Sequence, residues 1–184
     1  FPYTTLFRSD YIHLHPMADN SGVWRFKFPA EFLKGNPGGE IQAYVDFVPL
    51  RSGRTILAEA KAVWRNDSLT DNRQSRNQIV SLTASSTKAG ESSTLRIKLA
   101  SADVVNVLKL KPIMGTLGHA VIFSTDPSRV GYAHMHPSLE GQEYEPQPTL
   151  AFKLKLPPAG DYEIWVNIND GTDDYLVAPL HVTN

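Results

Sequence analysis

One six-residue motif occurs twice in this chain. Tyr11-Ile-His-Leu-His-Pro16 returns as Tyr132-Ala-His-Met-His-Pro137. Three further blocks follow each copy in the same order. Trp24-Arg-Phe-Lys-Phe-Pro29 resembles Leu150-Ala-Phe-Lys-Leu-Lys-Leu-Pro157. Gly39-Glu-Ile-Gln-Ala-Tyr-Val-Asp-Phe47 resembles Gly160-Asp-Tyr-Glu-Ile-Trp-Val-Asn-Ile168, and the stretch 56–63 resembles 176–183. Ordered self-similarity of this kind marks a duplicated structural unit. The second copy is expected to be complete over 78–184. The first spans 10–64 and corresponds only to the C-terminal half of the unit. Residues 65–77, polar and rich in Asn, Asp, Arg and Ser, read as a linker. The alternative is one continuous unit in which both copies pack together.

The period of the apolar residues sets the fold class. Alternation with period two marks strands, and it occurs at 78–84, 93–100, 104–111, 119–125, 131–136, 149–156, 161–168 and 174–183. In the first copy it occurs at 10–15, 22–28, 40–48 and 54–64. Pro, Gly, Asn and Asp fall between these runs, and Gly160-Asp161 and Asp170-Gly171 are turn signals. Many short strands without an amphipathic helix predict an all-β chain, an immunoglobulin-like β-sandwich in tandem with a truncated first copy. A half unit cannot close a core of its own, so the first copy is expected to be marginal.

Composition narrows the functional classes. The formal net charge is -1 and the basic residues are scattered, which argues against a nucleic-acid partner. There is no cysteine, so disulfides, thiolate metal sites and cysteine nucleophiles are excluded. No apolar run approaches the roughly 20 residues of a membrane-spanning helix. Residues 1–9, Phe-Pro-Tyr-Thr-Thr-Leu-Phe-Arg-Ser, read as the in-frame translation of a common sequencing adapter. The natural chain is therefore expected to enter near Asp10, with any signal peptide further upstream.

The histidines carry the chemistry. Residues i and i+2 share one face of a strand. His134 and His136 therefore share a face, with Ala133 and Met135 on the other. His13 and His15 are related in the same way, opposite Ile12 and Leu14. The apolar face must enter the core, so each imidazole pair projects away from it, with Cβ atoms about 6–7 Å apart. Two neutral imidazoles at that spacing can chelate one transition-metal ion. His119 opens the neighbouring strand and supplies a third ring if that strand lies beside 131–136. Three imidazoles with an open position suit Cu(II) or Zn(II). Met114 would add a soft thioether favouring Cu(I), against the plain alternative of a core methionine. Asp126 reads as a turn residue before Pro127, with a second role as carboxylate ligand or orienting group. His181 aligns with Lys61 in the repeat and reads as solvated.

Met114-Gly-x-x-Gly-His119, then a hydrophobic strand ending at Asp126, then His134-x-His136-Pro137, together with Phe152, Pro157, Gly160, Tyr162 and Trp165, resembles a family of bacterial secreted β-sandwich proteins related to YtkA-like domains. The resemblance covers about 79–184, and 10–64 as a partial second copy. It implies an extracytoplasmic location (periplasmic, secreted or lipid-anchored). It carries over His119, His134 and His136 as candidate metal ligands.

Two functional classes follow from these readings. The first is an extracytoplasmic metal-binding module, for copper with zinc as the alternative, acting in sequestration, delivery or sensing. The second is a structural module of the bacterial envelope, with a protein partner and no metal. Catalysis lacks a signature: there is no Gly-x-Ser-x-Gly elbow, no His-Glu-x-x-His helix and no phosphate-binding glycine loop. The chain is therefore read as not an enzyme.

Overall fold

The computed structural model describes residues 12, 14, 16–28, 38–49, 51–54, 56–65, 75–103, 105–126, 128–129, 132–141 and 145–184. The chain divides into two compact units, Phe1–Arg73 and Gln74–Asn184. Every regular element among the described residues is a strand. No helix there is long and apolar enough to cross a membrane.

The second unit contains two four-stranded antiparallel sheets. One runs β5 (Asn77–Ala84), β6 (Ser92–Ser101), β10 (Thr149–Lys155), β9 (Pro137–Glu140). The other runs β12 (Asp173–Val182), β11 (Gly160–Asn169), β7 (His119–Ser124), β8 (Tyr132–Met135). Alternation decides which side chains meet. On β6, Leu95, Ile97 and Leu99 are fully buried, while Thr94, Arg96 and Lys98 point away. Leu150 and Phe152 lie opposite Ile97 and Leu95 in register. From the second sheet, Ala120, Ile122, Ile164, Val166 and Ile168 close the same core. Burying each such aliphatic or aromatic side chain contributes about 1.5–3 kcal/mol. The result is a β-sandwich whose interior is drawn from both sheets.

The entry into this unit is pinned by a buried carboxylate. Asp174 accepts hydrogen bonds from the backbone N–H of Arg76 (3.2 Å) and Asn77 (3.1 Å) and from Asn77 Nδ2 (3.0 Å). The Ser75 hydroxyl lies 2.8 Å from its Oδ2. Arg76 pairs with Asp170 at 2.7 Å and also bonds Thr172.

The first unit has β1 (Met17–Ala18) paired with β2 (Trp24–Arg25), and β3 (Gly38–Phe47) paired with β4 (Ile56–Arg65). Val45, Phe47 and Ile56 share one face of the longer hairpin and are exposed. Residues 1–11, with His13 and His15, lie outside the described residues.

Three expectations are corrected. The predicted strand 104–111 is not a strand over its described residues, 105–111. Asp103 instead forms a turn, its carboxylate accepting from Val105 N (3.1 Å) and Asn106 Nδ2 (2.7 Å). The chain beyond it places Leu108 and Leu110 on the core without ladder partners, so the alternation recorded burial and not pairing. Within the predicted strand 131–136, Tyr132–Met135 form β8, His136 leaves it, and a further strand, β9, begins at Pro137. In the first unit, the predicted strand 22–28 contracts to β2.

Candidate metal centre

The site grows from two neighbouring strands. His119-Ala-Val-Ile-Phe-Ser124 is rich in residues that suit a pleated surface. Ala120 and Ile122 enter the core, which places His119, Val121 and Phe123 on the other face of their sheet. β8 runs antiparallel beside β7, with Ala120 opposite Met135 and Val121 opposite His134. Met135 therefore joins the core, and His134 shares the outer face with Val121 and His119.

His136 occupies a corner. β8 is the edge strand of one sheet and β9 the edge strand of the other. The chain crosses between them at this one residue. Pro137 suits the crossing, since a strand-opening residue on an edge tolerates a missing N–H.

Strand pairing and corner together bring three rings into one cluster. His119, His134 and His136 each offer one ring nitrogen, and these three atoms lie within 4.8 Å of one another. The rings of His119 and His134 are stacked, with centroids 5.6 Å apart and planes 28° apart. His136 stands edge-on to both, at 4.8 Å from His119 and 5.0 Å from His134. Exposure rises across the set. His119 is 1% exposed, His134 is half-buried and His136 is exposed. A tetrahedral ion with metal–nitrogen bonds of 2.0–2.1 Å needs its ligand atoms about 3.3 Å apart. To meet one ion the three nitrogens would have to draw closer than the 4.8 Å that bounds them here. Three imidazoles would leave a fourth position of such an ion for water or another donor.

β11 flanks β7 on its other side. Trp165 lies opposite Val121, and Asn167 lies opposite His119. Asn167 is 2% exposed, and its Nδ2 donates to the Asp174 carbonyl at 3.3 Å. Trp165 Nε1 donates to Glu163 at 3.2 Å. Gly118, just before His119, packs tightly: a Cβ there would meet the Asn167 carbonyl oxygen at 3.0 Å.

A family model described as "Domain of unknown function (DUF8832)" matches residues 73–183. The chain belongs to this family. All three clustered histidines fall within the DUF8832 region. No curated protein matches the chain.

Of the predicted ligands, the structure brings together His119, His134 and His136. His13 and His15 lie outside the described residues. Met114 sits on the turn Ile113–Thr116 with φ 50°, half exposed and so not a core methionine. Asp126 is not in the cluster. It caps an exposed turn, accepting from Ser128 N (2.9 Å) and Oγ (2.7 Å), and these bonds hold its carboxyl below the usual carboxylate range. His181 is exposed and meets Asp161 at 2.6 Å. Asn167 escaped the sequence reading. An Asn inside Trp165-Val-Asn-Ile168 is out of place in a strand and was the available signal.

Proposed function

We propose that the DUF8832 region of this chain is a transition-metal-binding module that holds its ion through His119, His134 and His136. The carrying observation is the convergence of three imidazole nitrogens within 4.8 Å from β7, β8 and the corner that follows. Copper is the expected ion, because at a site of nitrogen donors Cu(II) outranks Zn(II) in affinity. The gradient from buried His119 to exposed His136 suits capture and hand-over of an ion at the surface. The module acts outside the cytoplasm, on the resemblance to secreted proteins, in sequestration, delivery or sensing, and not as an enzyme.

Equilibrium titration of the full chain with Cu(II), Cu(I) and Zn(II) tests this. The reading expects one bound equivalent whose affinity falls by about 100-fold or more in His134→Ala/His136→Ala. Unchanged uptake in that variant rejects it.

A second reading is an envelope interaction module. The exposed Val45, Phe47 and Ile56 on one face of the β3–β4 hairpin favour it. Absence of metal uptake by the full chain would leave this reading standing.

A further inference from the structure

One end of the second unit carries apolar side chains that its core does not use. The segment between β6 and β7 lies across that end. Ala102 N donates to the Arg76 carbonyl at 2.8 Å, and Lys111 N donates to the Asn169 carbonyl at 2.8 Å. The segment therefore sits beside the start of β5 and the turn between β11 and β12. Its side chains alternate. Leu108 and Leu110 pack on the core, while Val105, Val107, Lys109 and Lys111 are exposed. Val105 is 85% exposed and Val107 48%. Met114, 49% exposed, adds a third apolar side chain at the tip of a two-residue turn. Ile113 and Thr116 close that turn with reciprocal backbone bonds of 2.7 and 3.1 Å, and Met114 and Gly115 occupy it at φ 50° and 86°. A turn of this kind favours Asn, Asp or Gly at both central positions, so the turn itself does not call for a methionine.

We propose that this end docks on a membrane surface that bears anionic headgroups. An outward row that only met water would be polar along its length. Here it begins with two valines and ends with two lysines. Apolar tips that enter the headgroup boundary lose contact with water, and lysines beside them meet lipid phosphates while their stems lie along apolar surface. Each lysine near an anionic leaflet contributes about fivefold in partition. The nearby carboxylates are engaged elsewhere. Asp170 pairs with Arg76, and Asp103 accepts from Val105 N and Asn106 Nδ2 within its own turn. An apolar groove on a protein would take the valines and the methionine but gives the lysines no role. His119 opens β7 at this same end, so docking sets the imidazole cluster near the bilayer.

Cosedimentation of the full metal-free chain with vesicles tests this. One set is phosphatidylcholine alone, and the other is phosphatidylcholine and phosphatidylglycerol in equal parts. Binding to the mixed vesicles is expected at low salt, with little on phosphatidylcholine alone and release at high salt. Val105→Asp/Val107→Asp is expected to weaken binding at least about tenfold. Lys109→Gln/Lys111→Gln is expected to weaken it about 25-fold. All four positions are exposed, so the sandwich should stay folded in both variants. Val45→Asp/Phe47→Asp, in the first unit, is expected to leave binding unchanged. Failure to bind the mixed vesicles overturns the proposal, as does binding that the valine pair leaves intact. Self-association of the free chain that the valine pair abolishes, without vesicle binding, would assign the patch to a second copy and overturn it equally. Vesicle binding by a chain that takes up no copper upholds the docking and defeats only the metal-binding reading.

Discussion

His119 and His134 stack on adjacent strands although they are not ladder partners. His134 faces Val121, two residues along β7 from His119, so the two rings meet on the diagonal. Diagonal neighbours on one sheet face lie about 7–8 Å apart at Cα, close enough for imidazoles to converge. Replacing any of the three rings by alanine is expected to weaken copper binding at least about tenfold, or 1.4 kcal/mol. Stability should separate them. His136→Ala is expected to change it by no more than about 0.5 kcal/mol, since the ring is exposed. His119→Ala removes a fully buried ring and should destabilise clearly. Urea unfolding beside copper titration reads both effects.

Gly118→Ala should disturb the site without touching a ligand. A Cβ at 118 meets the backbone oxygen of Asn167 at 3.0 Å and Leu150 Cδ1 at 3.3 Å. A carbonyl inside a ladder yields only if β7 shifts. Overpacking of this kind costs about 1–3 kcal/mol. The expected outcome is a loss of that size in urea unfolding, together with weaker copper binding. Wild-type behaviour in both would contradict the packing.

Asp174→Ala removes the acceptor for two backbone N–H groups and the Asn77 amide. Hydrogen bonds to a charged group contribute about 1.5–3 kcal/mol each, and these act as a unit. A destabilisation of about 3 kcal/mol or more is expected in the urea transition of the sandwich. A change below about 1 kcal/mol would mean that residues 75–77 are held by other contacts.

Acid should loosen the same corner. Burial pushes the Asp170 carboxyl up, but hydrogen bonds from Arg76, Asn77 and Thr172 N–H outweigh it and hold the group below the usual range. A depressed carboxyl contributes stability that is present above its unfolded value, about 3.9, and lost as the pH falls through the lower folded value. The stability difference between wild type and Asp170→Asn should therefore be constant above about pH 5 and shrink toward pH 2. A difference that grows with acid would contradict the assignment.

Much of this was legible in the sequence because a strand has period two. That period alone put Met135 in the core and His134 on the opposite face, and His119 at the head of a strand made it a neighbour. The corner at His136 was not legible. Whether a chain leaves one sheet and joins another after a His-Pro step depends on which edges lie near, and the four residues Pro137–Glu140 are too few to announce a strand. The stretch after Asp103 shows the converse: Leu108 and Leu110 alternate as a strand would, yet the segment only lies along the core. Asn167 stands opposite His119, a place that no local pattern of β11 reveals.

The central claim is that one transition-metal ion is held by three imidazoles of this sandwich. X-ray absorption at the copper edge of the loaded full chain tests it most directly. The account predicts three imidazole nitrogens at about 2.0 Å, falling to one in His134→Ala/His136→Ala. A first shell without imidazole scattering, or one left unchanged by that double substitution, would contradict it.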